Sequence, residues 1–302
     1  MSLISIAWRA HLDFPLILLC NHDARHDRPT APAADWPADS GYPGLLAGRD
    51  LQGGGTWLGV NRHDSRFALV TACRDASSSA QPPPADTPSR GLLPLAYFAS
   101  GEEPVVHARR YARDKGPYAP FNLLLGNARQ VHYAATRSRL SVPLTEGVHV
   151  LGNGLLDQRW PNAERLDTVF GAYIKAIGGL VVLVDGFPKL RDALAHHQMV
   201  LPVPDDVLTP ADIAAAGFVM LADRATSSDG LPDTGLGTAE ERRRSAPFVI
   251  GPEHGTRSST VLVMARDGRV HFEERRFDAA GEPAGTVLQQ WTQDAAVFGA
   301  PD

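Results

Sequence analysis

The chain has 302 residues, 43% of them hydrophobic, with 29 basic and 34 acidic side chains and a formal charge of −5. That is enough apolar material for a large core in one or two domains, and it gives no electrostatic case for nucleic acid, which calls for clustered basic charge. Two cysteines, Cys20 and Cys73, are too few for a disulfide framework; each stands in an apolar run, which predicts buried thiols in a reducing compartment.

The chain opens on two short apolar runs, Leu3, Ile4, Ile6 and Trp8, then Leu16-Ile17-Leu18-Leu19-Cys20. Asp13 and Pro15 between them suit a turn, so the segment predicts a β-hairpin. No stretch reaches the roughly 18 apolar residues of a membrane helix. The first apolar run is short and precedes Arg9, whereas a secretory signal carries its positive charge first; a cytoplasmic protein without a membrane span is expected.

Residues 57–60 and 67–73 predict a second hairpin around Asn61-Arg62-His63-Asp64-Ser65. Residues 76–88, rich in serine and proline, predict a mobile loop. A helix over 102–113 precedes a third strand pair, 121–125 with 131–135, and a short strand at 148–151 runs into Gly152-Asn153-Gly154. Leu166, Val169, Phe170, Tyr173, Ile174 and Ile177 recur at helix spacing, so 162–177 predicts a helix that Gly178-Gly179 ends. Further helices are expected at 187–196 and 210–216, and 223–246 is either a polar lid or a disordered stretch. The clearest hairpin is the last, 259–265 with 270–277 around Asp267-Gly268. Strands at both ends and helices in the middle predict two sheets flanked by helices in one α+β domain spanning residues 1–302.

The run Gly53-Gly54-Gly55-Thr56-Trp57 is the strongest local pointer to a site. Consecutive glycines let the backbone approach another group closely, and a charged pair, Arg49-Asp50, stands just before them. Arg49 and Asp50 are expected to pair and order the glycines, while Thr56 and Trp57 line a pocket for a small molecule. The run lacks the lysine and following helix of a phosphate-cradling loop. His22 and His26 are four apart, a metal spacing only on a helix; the residue before Pro29 disfavours helix, so no metal and no cofactor are expected.

Asn21-His22-Asp23-Ala24, Arg28-Pro29-Thr30 and Trp36 precede the glycine run. After it come Arg66-Phe67-Ala68, Pro88-Ser89-Arg90-Gly91, Phe121-Asn122-Leu123-Leu124, Gly152-Asn153-Gly154-Leu155-Leu156-Asp157 and Gly255-Thr256-Arg257-Ser258-Ser259. In this order the set resembles the NRDE family, also called the transport and Golgi organisation 2 family, from the first residues to about Phe277. The family's Asn-Arg-Asp-Glu motif is altered here to Asn21-His22-Asp23-Ala24.

The family is similar to N-terminal-nucleophile hydrolases that cleave choloylglycine and penicillin V. The resemblance implies a four-layer αββα sandwich and a nucleophile exposed by removal of Met1. A free α-amine has a pKa of roughly 7.7–8.0, so one residue supplies both nucleophile and base. The family's usual cysteine at that place is Ser2 here. Asp23 and Arg257 would orient Ser2, and Asn153 would donate to the oxyanion. Asn21, His22, Thr56 and Trp57 would meet the substrate. A second oxyanion donor, in the family's Thr-Asn, is replaced in Thr71-Ala72.

Two functions follow from the resemblance. One is a hydrolase of a small amide or acyl compound. The other is a binding or trafficking protein for haem or a lipid-like molecule on the same fold, with His22 and His26 as the candidate haem ligands. The changes at Ser2, His22, Ala24 and Ala72 weigh toward the second.

Overall fold

The computed structural model describes residues 2–74, 84, 86–114, 116–178, 182–202 and 207–294. Residue 1 and most of the expected mobile loop at 76–88 lie outside them. In chain order the elements are β1 (Ser2–Trp8), β2 (Leu16–Arg25), β3 (Thr30–Asp35), β4 (Leu45–Asp50), β5 (Leu58–Asn61) and β6 (Phe67–Ala72). Then come α1 (Leu92–Ser100), α2 (Pro104–Arg113), β7 (Phe121–Gly126), β8 (Val131–Ala135), β9 (Leu140–Pro143) and β10 (Gly147–Leu151). The chain continues with α3 (Pro161–Ile177), α4 (Val182–His197), α5 (Pro210–Leu221), α6 (Thr238–Arg243), β11 (His254–Met264), β12 (Arg269–Phe277) and β13 (Pro283–Thr292).

The strands form two antiparallel sheets. One has the order β10-β1-β2-β11-β12-β13, and the other runs in sequence from β3 to β9. Because side chains alternate along a strand, β1 and β2 each present two apolar rows. Ile4, Ile6, Trp8, Leu16, Leu18 and Cys20 pack against Leu58, Val60, Leu69 and Leu124 of the second sheet. Leu3, Ala7, Ile17 and Leu19 face the other way, onto Leu166 and Phe170 of α3 and Ile213 and Phe218 of α5. The outer face of the second sheet, with Leu45, Ala47 and Ala68, packs on Leu93 and Tyr97 of α1 and Ala108 of α2. Strands buried on both faces explain why β1 and β2 read as continuous apolar runs.

The expected hairpins are present, and the α+β class holds. Both cysteines are buried and unbonded to each other. The 223–246 segment carries α6; within it Thr234 and Glu241 are buried, and the Glu241 carboxylate accepts from the Thr234 backbone N–H at 2.8 Å and from its hydroxyl. No helix among the described residues is long and apolar enough to cross a membrane.

Candidate functional site

The β1–β2 register sets Ser2 opposite His22. Both stand on the rows that face the second sheet, at the end where the apolar packing between the sheets opens into a cleft of about 760 Å³. Ser2, His22, Asp23, Thr56 and Trp57 are among its walls. Ser2 Oγ lies 3.4 Å from His22 Nδ1, a long hydrogen bond in which Nδ1 accepts when the ring proton is on Nε2. Burial, then nearby positive charge, holds the His22 imidazole well below its ordinary pKa, so it is neutral at pH 7.

Asp23 is buried at the next position of β2, opposite Thr256 of β11. The Thr256 hydroxyl donates to Asp23 Oδ1 at 2.7 Å and accepts from the Val249 N–H at 2.9 Å. Burial raises the carboxyl to about 6, against the amino-terminal charge and the Thr256 bond, which both lower it. His254, another wall of the cleft, is pushed to about 2, chiefly by burial.

The other expected residues stand elsewhere. Asn153 lies two positions past Leu151, where β10 and its pairing with β1 end opposite Ile4. Its side-chain amide donates to the Ala72 carbonyl at 2.8 Å, and its own carbonyl accepts from the Arg74 N–H at 2.7 Å. Asn153 lines a small space with Arg74, Trp160 and Arg244 beside the cleft. Arg257 occupies the bulge where β11 slips against β2. Its Nη1 donates to the carbonyls of Arg25, His26 and Arg28 at 3.0, 3.2 and 3.3 Å, which fastens the turn from β2 to β3. Asn21, expected at the ligand, is buried on the opposite face of β2, where its amide donates to the carbonyls of Leu221 and Pro247 and its oxygen accepts from the Ser259 hydroxyl. It is not among the cleft walls: it lies one step further into the sheet than Asp23, on the same row, and its side chain is taken up by these three partners.

The expected Arg49–Asp50 pair does not form. Asp50 accepts two hydrogen bonds from Arg28, at 3.1 and 2.6 Å, and Arg49 lies over the Trp36 ring, 4.9 Å from its centroid. Adjacent strand residues point to opposite faces, so the two side chains part. The glycine run does make a close approach. A Cβ on Gly55 would lie 2.2 Å from the Gly91 carbonyl carbon, beside the hydrogen bond from Thr56 N–H to the Gly91 oxygen at 3.0 Å. Arg28 and Arg90, which stand in motifs visible in the sequence, line the cleft; His254, another wall, and Arg74 beside it carried no sequence signal.

His26 Nε2 contacts the Gly251 carbonyl at 2.8 Å, and among the described residues no group of three or more His, Cys, Asp or Glu side chains could hold a metal ion.

Fold and site define a mixed α/β protein of two antiparallel sheets, with a polar cleft at the start of its first strand. The Transport and Golgi organisation 2 family matches residues 1–279, and the chain belongs to that family. It is 24% identical over 271 residues to the Transport and Golgi organization protein 2 homolog of Bos taurus, covering 87% of this chain and 86% of that protein. The Homo sapiens homolog is also 24% identical, over 276 residues, with the same coverage.

Proposed function

We propose that the cleft is a hydrolytic site for a small amide or acyl compound, working in the cytoplasm, with Ser2 as its nucleophile once Met1 is removed. The observation that carries this reading is the meeting of the Ser2 hydroxyl, a neutral His22 ring and a buried Asp23 carboxylate at one cleft. Helices outside two face-packed sheets agree with the αββα layering of N-terminal-nucleophile hydrolases.

In this reading the α-amine of Ser2 takes the Oγ proton as Oγ attacks the substrate carbonyl carbon. Asp23 holds the resulting ammonium by a charge-assisted hydrogen bond. An Asn side-chain amide has two N–H groups; Asn153 uses one on Ala72 and offers the other to the oxyanion. The C–N or C–O bond then breaks, the leaving group takes the proton, and water hydrolyses the Ser2 ester. Arg257 is a positioning residue that keeps the β2–β3 turn in place. His22, Thr56 and Trp57 form the substrate wall.

Intact-mass spectrometry and an acylating probe test it together. Loss of Met1 and labelling that disappears in Ser2→Ala are the expected results. Retention of Met1, or equal labelling in Ser2→Ala, overturns the reading.

The engagement of Asn153 with the Ala72 carbonyl also favours a second reading, a binding or trafficking protein for haem or a lipid-like molecule that does not turn it over. A haem titration reads this out. A Soret shift at micromolar haem that is lost in His22→Ala supports haem, and its absence removes haem from the candidates.

A further inference from the structure

Beside the Ser2 cleft, and sharing Arg25 and His254 with it, lies a second recess of about 470 Å³. Four arginines line it, Arg25, Arg74, Arg243 and Arg244, against two glutamates, Glu240 and Glu253. His254 adds no charge, because burial keeps its ring neutral. The positive excess is not spread evenly. Arg243 and Arg244 both pair with Glu240. Arg25 is held by Asp27 at 2.7 Å and by Glu253 at 3.7 Å.

Arg74 differs from these three. It has no acidic partner among the described residues, and its Nη1 is buried without a hydrogen bond. The carboxylates of Glu241 and Asp23 act on Arg74 only at a distance, each accepting a hydrogen bond from a neutral threonine, Thr234 and Thr256. Burial and the neighbouring charges of Arg244 and Arg90 lower the Arg74 guanidinium to about 10, against the Glu241 and Asp23 carboxylates, which raise it, and it stays charged at pH 7. A largely buried cation with no carboxylate in hydrogen-bond contact is costly, and a bound anion lowers that cost. A guanidinium presents a planar fork that matches the paired oxygens of a carboxylate or phosphate. The Arg74 backbone N–H also holds the Asn153 carbonyl at 2.7 Å, which ties this arginine to the rim of the Ser2 cleft.

We propose that Arg74, with Arg244 beside it, is an anion subsite, and that the small molecule taken by the cleft carries a carboxylate or phosphate group which seats in this recess. The proposal deepens the reading of the cleft as a small-molecule site, but it does not depend on hydrolysis.

The test uses the full chain at constant ionic strength, with glutarate and inorganic phosphate as separate probes and chloride as the balancing ion. Thermal unfolding is followed in the wild type, in Arg74→Gln, in Arg74→Met, which keeps the aliphatic stem, and in Arg191→Gln, an exposed arginine on α4. A saturable rise in Tm is expected in the wild type and in Arg191→Gln, with apparent affinity at least tenfold weaker in both Arg74 variants. The probe that acts at lower concentration identifies the group as carboxylate or phosphate. No saturable rise with either probe in the wild type, or a wild-type response in a folded Arg74 variant, overturns the proposal. Ser2→Ala keeps the anion response. An anion response without Ser2 labelling therefore counts against hydrolysis alone, and Ser2 labelling without an anion response counts against the subsite alone.

Discussion

The His22 ring lies flat on the Trp57 indole, with centroids 4.1 Å apart and planes 5° from parallel. His22 comes from β2 of one sheet, and Trp57 immediately precedes β5 of the other, so the stack joins the two sheets at the floor of the cleft. The indole also lies against Gly48, where a Cβ would come within 2.4 Å of it. The ring therefore holds His22, and through it the Ser2 hydroxyl, in one orientation. Trp57→Ala is expected to lose about 3–5 kcal/mol of stability, the usual cost of emptying a buried aromatic site. Urea unfolding at pH 7 checks this, and a loss below about 1 kcal/mol would mean that the indole is not a structural part of the floor.

The glycine run yields a contrast between neighbours. Gly54 has φ +73 with open space around its Cβ position, so Gly54→Ala meets only backbone strain, about 1 kcal/mol. Gly55 faces the Gly91 backbone, which cannot rotate out of the way as a side chain can. Gly55→Ala is expected to cost about 3 kcal/mol, the upper end for forced overpacking. Thermal unfolding of the two variants side by side decides it, since equal shifts would remove the close approach as the reason for glycine at position 55.

Four hairpins were legible in the sequence: the first three because both faces of their strands are buried, which leaves largely apolar runs, and the last because Asp267-Gly268 marks its turn. Other elements were hidden by their surroundings. β3 contains Pro32 and is buried at only one position, and β13 is an edge strand with one solvated face, so neither shows such a run. α1 reads Leu-Leu-Pro-Leu-Ala-Tyr-Phe, apolar on nearly every side, and so gives no helical period. Among the cleft walls, His22, Asp23, Thr56 and Trp57 stand in motifs visible in the sequence, and Ser2 was reached through the family resemblance. The partner of Asp50 could not be read there. Its neighbour Arg49 points to the opposite face, and Arg28 reaches it only because β3 and β4 pair across the sheet. Arg74 had no signal at all, since an arginine that follows a strand is ordinary until the folded chain surrounds it with others.

A second histidine site gives a pH signature of opposite kind to His22. His149 Nδ1 lies 2.8 Å from Asp157 Oδ2, and Nε2 lies 2.9 Å from the Thr145 carbonyl. The bond to Asp157 raises the His149 pKa above its ordinary value. The folded state thus holds a proton more tightly than the unfolded chain. The stabilisation is fully present below about 6.5 and is lost as pH rises through the folded pKa. Asp157→Asn keeps an oxygen for the Val150 N–H, which Asp157 Oδ1 accepts at 3.0 Å, but removes the charge. Asp157 is half-exposed, so solvent screening limits the effect to about 1 kcal/mol at pH 5.5, and less at pH 8.5. Urea unfolding at the two pH values reads out the difference, and a loss that grows toward pH 8.5 would contradict the assignment.

Asp23 carries the sharpest conflict between stability and chemistry. Its carboxyl titrates at about 6 in the folded chain because burial disfavours the charged form, whereas an unfolded aspartate titrates at about 3.9. Between those values the folded state binds a proton that the unfolded state does not, so the penalty is absent at low pH and grows as pH rises toward 6. At pH 7 it is on the order of 2–3 kcal/mol. Asp23→Asn removes the charge and leaves an amide oxygen to accept from Thr256. The variant is expected to be more stable than the wild type by that order at pH 7, with the gap closing below about pH 4, while Ser2 labelling falls because the ammonium loses its carboxylate. Denaturation curves at pH 7 and pH 4 measure the first effect and the acylating probe the second. Equal stability at both pH values would show that burial is not what raises Asp23, and a stable variant with undiminished labelling would remove Asp23 from the chemistry.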